Sequence, residues 1–331
     1  MDEHFCITDG VHLVKNPYYI ASQLLHIVVS LAAIIFIIST RSYLAEFHVH
    51  KNLKVIFWTL YGCIIAHGLV FIVFESQHLI TAWAAKKPCD VFQSPKFCLM
   101  VRFALHLTCN CFVMLQLGLC VERTIATVYP GSYESSRSCQ GKTICVLAIF
   151  ASLIGASLTD LSSKNSEALS SCLNNHKDNW MAVDISNYFL TAVNLLTFFW
   201  ACTLLFINKI YKKRLDGNLS NRYQVRENLA STRLIMILGW MQFVIYAIHV
   251  SCNIARRASK DHMSTVLYRA LASIGYMLTY YTFLTPLITV LLIGKERRTK
   301  LMSLRENLQQ TSTKGAAGQN AYFNAYEKRW Q

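Results

Sequence analysis

Seven long apolar runs decide what this chain can become: Tyr19–Thr40, Val55–Ile80, Cys98–Val128, Thr143–Leu161, Val183–Ile207, Leu229–Cys252 and Thr265–Ile293. About 20 apolar residues in helical form cross the ~30 Å hydrocarbon layer of a bilayer. No water is present there to bind backbone N–H and C=O groups, so a run of this length satisfies itself only as a helix. Charged residues make up 15% of the chain and apolar residues 53%, whereas a soluble domain carries about 25% charged residues. The first run is too long for a signal-peptide core, lacks a basic leader and is followed by six more. The pattern predicts an all-α membrane protein, a seven-transmembrane helix bundle over 19–293 preceded by a short N-terminal segment, 1–18.

Short connections leave no room for a second folded domain. After the last run, "GKERRTKLMSLRENL" spaces Leu301, Leu304 and Leu308 at helical intervals with charges opposite. That spacing predicts an amphipathic eighth helix on the inner leaflet over 294–308. The polar, small-residue tail 309–331 is expected to be disordered.

The net charge of +14 is spread along the connections rather than gathered into a nucleic-acid-binding face, and no nucleic acid is expected as partner. With the N-terminus outside, the inner side collects Arg41, Lys51, Lys54, Arg123, Arg137 and Lys142, the basic residues from Lys209 to Arg233, and the tail. Lys86, Lys87, Lys96, Arg256, Arg257 and Lys260 fall outside. The larger share lies inside, which orients the N-terminus outward and the tail toward the cytoplasm.

Catalytic signatures are missing. The sequence holds no His-Glu-x-x-His, phosphate loop, nucleophile elbow or Cys-x-x-Cys pair, so no enzyme activity, metal or cofactor is implied. His48 and His50, in the basic stretch "FHVHKNLK", read as solvated side chains. A transporter built from inverted repeats would show matching broken helices, and none is evident. An inverted-topology ligand-gated channel or multipass transporter is the competing reading.

Of the twelve cysteines, four lie on the oxidising side in this orientation: Cys6, Cys89, Cys98 and Cys172. Four cysteines allow three pairings. We expect Cys98 with Cys172, tying the start of the third span to the second outer loop, and Cys6 with Cys89 as the remainder.

Glu122 and Arg123 are adjacent charges at the inner end of the third span, Arg123 standing 25 residues after Cys98. At 1.5 Å per residue that is about 37 Å of helix, slightly more than the membrane. Charges at such depth are costly and mark function by default.

A third span that starts at an outer cysteine and ends in Glu-Arg resembles the rhodopsin-like G-protein-coupled receptors. "ERTIAT", with "PCDVFQSPKFC" before it and "LSNRYQVREN" after the fifth span, resembles the nematode serpentine receptors of class AB and class alpha. The likeness runs over essentially the whole chain. Its most specific part is the string Arg222, Tyr223, Gln224, Glu227 and Asn228. The resemblance implies a chemosensory receptor in the plasma membrane of sensory neurons, in cilia or dendrites, with a small-molecule ligand and a heterotrimeric G protein as partners. Some general receptor features are altered. Thr285 and Thr289 flank Pro286 where Asn and Tyr are usual, and no proline follows Trp240. Pro286 removes a backbone hydrogen bond and is expected to kink the seventh helix.

For a ligand, Arg102, His106 and Asn110 recur at i, i+4 and i+8 on one face of the third span. Tyr246 and His249 end the sixth and Tyr276 begins the seventh, and polar groups at lipid depth face the bundle interior. Glu75 is expected as an ion-pair partner for Arg102. For coupling, Glu122, Arg123, Arg222, Arg226 and Glu227 are the candidates, with Glu227 as an inactive-state partner of Arg123. Asn218 and Ser220 are placed to cap the sixth helix. Asn218 also begins the chain's one Asn-x-Ser/Thr sequon, "NLS". In this orientation it faces the cytoplasm, and endoglycosidase treatment of the membrane-expressed protein should leave its mass unchanged. A shift that disappears in Asn218→Gln would reverse the topology.

Overall fold

A computed structural model describes residues 6–45, 49–129, 133, 139–161, 171–173, 180–214, 219–299, 302 and 315. Seven helices among them are long and apolar enough to cross a membrane. They are α1 (Pro17–Ser39), α2 (Lys51–Ala84), α3 (Pro95–Val128), α4 (Cys139–Leu161), α5 (Trp180–Arg214), α6 (Leu219–Ala258) and α7 (Thr265–Thr299). By contact the chain falls into two units, Met1–Ile288 and Thr289–Gln331. In the second, residues 289–299 are helical, and most of the expected eighth helix (294–308) and tail lies outside the described residues.

The helix starts are written in local chemistry. Asn16 accepts hydrogen bonds from the Tyr18 and Tyr19 amides with Pro17 at the first helical position, and Ser94 accepts from the Phe97 amide ahead of α3 with Pro95 in the same role. Both use a side-chain oxygen for an orphan N–H and a proline where no N–H is needed. The ends run past the apolar segments. α5 continues to Arg214 and α6 begins at Leu219, so the polar interval 208–228 between the fifth and sixth apolar runs is mostly helical. Hydropathy marks the membrane, whereas a helix carries on into water until a cap stops it.

Packing is inside-out relative to a soluble protein. On α1 the apolar Leu24, Val28, Leu31, Ile35 and Ile38 are exposed, while Ser22, Gln23, His26 and Ser30 are buried. Lipid tails are as apolar as leucine, so the helices gain from interhelical hydrogen bonds and close packing rather than from hiding apolar surface. Ser22 Oγ meets Ser273 Oγ of α7 at 2.9 Å, Tyr19 Oη meets His78 Nδ1 of α2 at 3.5 Å, and His67 Nδ1 meets Thr108 Oγ1 of α3 at 2.7 Å. α3 is the most buried of the seven and touches α2, α4, α5 and α6. Around it α5 packs on α6 and α1 on α2, with α7 against α1 and α6.

α7 is interrupted near the end that carries the disulfides. Its first segment, Thr265–Ile274, stops at Gly275, and helix resumes at 278 and runs through Pro286. The break therefore lies about three turns before the proline expected to kink the helix. Thr282 and Thr285 hydroxyls donate to the Thr279 and Tyr281 carbonyls in the turns around the proline.

Both expected disulfides form. Cys6–Cys89 joins the N-terminal turn to the α2–α3 connection, with a Cα–Cα distance of 4.9 Å, and Cys98–Cys172 joins α3 to the described part of the α4–α5 connection, at 4.8 Å. At the opposite end the start of α4 is pressed against the start of α2. Gly141 N donates to Asn52 Oδ1 at 3.0 Å, and a Cβ on Gly141 would lie 2.6 Å from the Asn52 carbonyl oxygen. Because that obstacle is backbone, Gly141→Ala should destabilise the protein by about 1–3 kcal/mol as overpacked sites do. Gly62→Ala, with nothing within 4 Å, should be neutral or better. Thermal denaturation of the two purified variants checks the contrast, and equal melting temperatures would refute the close α2–α4 approach.

Candidate functional site

Two polar constellations sit at opposite ends of α3. Near its start the helices splay around a cleft of about 810 Å³ of empty space, open solvent at its mouth included. α3 contributes Arg102, His106 and Asn110, α5 contributes Asn187, α6 contributes His249, Asn253, Arg256 and Arg257, and α7 contributes Tyr276. Cys172 and Leu173 close one side, so the Cys98–Cys172 bond fixes the connection at the wall of the cleft.

Several wall residues are held by defined partners. His106 Nδ1 donates to Asp160 Oδ2 of α4 at 3.1 Å, and Arg257 pairs with Asp184 of α5 while lying over the Trp180 ring. His249 Nδ1 is 3.0 Å from the Gly275 carbonyl oxygen. A carbonyl only accepts, so Nδ1 carries the proton and Nε2 accepts from Asn253 Nδ2 at 3.2 Å. The break in α7 thus supplies the carbonyl that orients His249. It also turns Tyr276 inward, where its ring packs on Phe71 at 5.0 Å and its hydroxyl meets Cys109 Sγ at 3.4 Å.

Five of the six expected ligand residues (Arg102, His106, Asn110, His249 and Tyr276) come together on this cleft. Tyr246 does not join them. It is fully buried, and its hydroxyl donates to the Cys109 carbonyl at 2.8 Å, bracing α6 against α3 behind the cleft. Glu75 also departs from expectation. It faces α1 and meets His26 Nδ1 at 3.3 Å rather than pairing with Arg102. Asn187, Asn253, Arg256 and Arg257 were not picked as site residues. The signal for the arginines was their place as exceptions to the positive-inside pattern.

At the far end of α3 lies Arg123, 1% exposed. Its Nε donates to Glu122 Oε2 at 2.5 Å and Nη2 to Glu122 Oε1 at 2.6 Å, a two-pronged pair. Nη2 also donates to Tyr133 Oη at 2.7 Å, and Nη1 donates to Ser231 Oγ at 2.7 Å and Asn228 Oδ1 at 3.2 Å, both on α6. All five guanidinium donors therefore find acceptors, which is the condition for burying such a charge. Tyr133 Oη closes the ring by donating to Glu122 Oε1. Burial pushes the Tyr133 phenol well above its usual range, so it stays protonated and keeps that hydrogen bond to give.

His50 covers the node. Its ring lies 4.1 Å from that of Tyr133, centroid to centroid, and its amide donates to Glu227 Oε1 at 2.8 Å. Burial lowers the His50 pKa and favours the neutral ring. The residue read as solvated is a half-buried lid. Glu227 contributes charge near Arg123, but the hydrogen bonds from α6 to the guanidinium come from Asn228 and Ser231. Asn228 Nδ2 also donates to the Ala126 carbonyl at 3.0 Å, and Asn208 bridges Thr127 and Thr232. Arg222 and Arg226 lie in the first turns of α6 with side chains outside the described residues, as does Asn218 entirely. Among the described residues no group of three or more His, Cys, Asp or Glu is disposed to hold a metal ion.

A seven-helix bundle with a disulfide-tethered cleft at one end of α3 and a buried Glu-Arg node at the other can be compared with known proteins. Residues 17–331 match the family model described as the serpentine type 7TM GPCR receptor class ab chemoreceptor. Among curated relatives, serpentine receptor class beta-17 of Caenorhabditis elegans is 22% identical over 96% of this chain and 88% of its own length. Serpentine receptor class alpha-10 of Caenorhabditis briggsae is 23% identical over 75% of this chain and 76% of its own. With the family model covering nearly all of the sequence, the protein belongs to the class AB family of serpentine seven-transmembrane chemoreceptors.

Proposed function

We propose that the protein is a plasma-membrane chemosensory receptor of sensory neurons, in their cilia or dendrites. It binds an external small molecule in the cleft and activates a heterotrimeric G protein at the Arg123 end. The observation that carries this reading is the placement of the two constellations on one helix. Arg102 and Arg123 are 21 residues apart on α3, about 32 Å at 1.5 Å per residue, which is the thickness of the hydrocarbon layer.

The orientation follows from the chemistry of each end. Disulfides form in oxidising compartments, and both bonds lie at the cleft end, so that end faces outward. The Arg123 end then faces the cytoplasm, where the basic residues of α5 and α6 collect. The relatives' names, serpentine receptors of classes alpha and beta, and the family's description as chemoreceptors agree with a receptor rather than a channel or transporter.

The mechanism is a shift between two arrangements of α6 on α3. The guanidinium of Arg123 holds α6 closed through Asn228 and Ser231. A ligand between α3, α5, α6 and α7 that binds the open arrangement more tightly moves the equilibrium by its differential affinity. Opening costs the α6 hydrogen bonds, and a hydrogen bond to a charged group is worth about 1.5–3 kcal/mol.

Ser231→Ala should therefore raise basal G-protein dissociation by about tenfold in a cell-based energy-transfer assay, since 1.4 kcal/mol is a factor of ten. Arg123→Ala should abolish the ligand-stimulated signal at normal surface expression, screened against a panel of volatile and water-soluble small molecules. A full ligand response in Arg123→Ala, with basal activity unchanged in Ser231→Ala, would sink coupling through this node.

A further inference from the structure

We propose that the cleft selects a small organic monoanion, a carboxylate on an apolar body. The inference rests on the cleft being the ligand site. Among the described residues no acidic side chain lines it, whereas three arginines do: Arg102, Arg256 and Arg257. The acids that reach these walls from behind are Asp160, hydrogen-bonded to His106, and Asp184, tied to Arg257. Arg257 is thus matched by Asp184, whereas among the described residues no carboxylate is paired with Arg256, whose positive charge lines the cleft.

Arg256 is where that charge is presented. Its guanidinium lies over the Tyr268 ring, 4.3 Å from the centroid, and Nη2 reaches Asn253 Oδ1 at a long 3.5 Å. Its Nε is buried without a hydrogen-bond acceptor, and no carboxylate among the described residues pairs with it. A planar guanidinium clamped on an aromatic face offers a carboxylate two parallel N–H donors. At the edge of a low-dielectric bundle that attraction is stronger than in water, and leaving the cation unmatched is correspondingly unfavourable. The rest of the lining suits an apolar body: Leu105, Leu190, Leu278 and the Tyr276 ring.

An amine of the same shape would add a second uncompensated cation, and an alcohol would leave the first unmatched. Discrimination between matched acids, alcohols and amines is therefore the direct readout. The full-length receptor is purified into nanodiscs of phosphatidylcholine, and its melting temperature is followed against hexanoate, hexanol and hexylamine and against benzoate, benzyl alcohol and benzylamine. The acids should stabilise in a saturable way, the amines should not, and Arg256→Gln should weaken the acids by about tenfold or more, as loss of a charge-assisted hydrogen bond does. Arg256→Lys should retain the preference for acids with reduced affinity.

If Arg256→Gln does not fold, the acid-over-amine order in the unaltered receptor still decides the matter. Preference for the alcohol or amine, stabilisation by none of the acids at millimolar concentration, or acid binding indifferent to Arg256→Gln would each overturn the proposal. So would stabilisation by phosphatidic acid in the discs with soluble acids inert, which assigns the charge to a lipid headgroup. A parallel G-protein dissociation assay separates the two readings. Acids that bind through Arg256 without signalling support the anion site and count against the receptor mechanism. A neutral ligand that signals from the same cleft does the reverse.

Discussion

A single buried guanidinium sets the terms for one end of this bundle. A charged arginine sealed from water is tolerable only with every donor met, and breaking a buried pair by removing one partner costs about 3–5 kcal/mol. Arg123 meets that demand by drawing on α3 through Glu122, on the following connection through Tyr133, and on α6 through Asn228 and Ser231. The fold must bring all of these to one point or bury an unsatisfied charge. That demand is met where the α6 apolar run begins, with Asn228 and Ser231 brought to the guanidinium on a helical support. It also draws Tyr133 into a buried position, with the His50 ring 4.1 Å from its own, centroid to centroid.

The same logic, with neutral groups, holds the rest together. Lipid gives apolar faces no reason to be hidden, so the outward faces of α1, α4 and α5 are greasy while the inner ones carry His, Ser, Thr, Asn and Gln. Gln116 donates to the Ile235 carbonyl of α6 at 2.9 Å and Tyr281 to Gln242 Oε1 at 3.0 Å. Each such bond is modest, about 0.6 kcal/mol on average in membranes, but each fixes a register between helices. Specificity of packing here is carried by hydrogen-bond geometry more than by apolar area.

How much of this could be read in the sequence follows from what hydropathy encodes. The seven spans were legible because a ~30 Å apolar layer imposes a minimum run length, and the disulfide partners because only a few cysteines fell on one side. Arg102, His106 and Asn110 were legible because helical periodicity put them on one face. What escaped depends on neighbours far away in the chain. Tyr133 stands alone in a polar connection, and nothing local announces that its hydroxyl will meet Glu122 and Arg123. Tyr246 has the same polarity as Tyr276, yet one braces a carbonyl and the other lines a cleft. The interruption of α7 at Gly275 was hidden behind the more conspicuous Pro286, because a proline's cost is local whereas a break also depends on what donates to the freed carbonyl, here His249.

α6 connects the two ends in a way that limits how they can communicate. Its 40 residues run from the node residues Asn228 and Ser231 to the cleft residues His249, Asn253, Arg256 and Arg257 without a proline. A proline-free helix has few places to bend, so motion at one end must appear at the other as a tilt or rotation of the whole. Gly239 is where α6 comes close to α3 near its middle: a Cβ there would lie 3.1 Å from Gln116 Nε2 of α3, and Gln116 is itself bonded to α6 at Ile235. With α6 held close to α3 near its middle, a displacement of its cleft end toward α3 would lever its other end away from Arg123. Coupling of this kind needs no chain of side-chain rearrangements. It needs one stiff helix, one close contact near its middle, and opposing polar attachments at its ends.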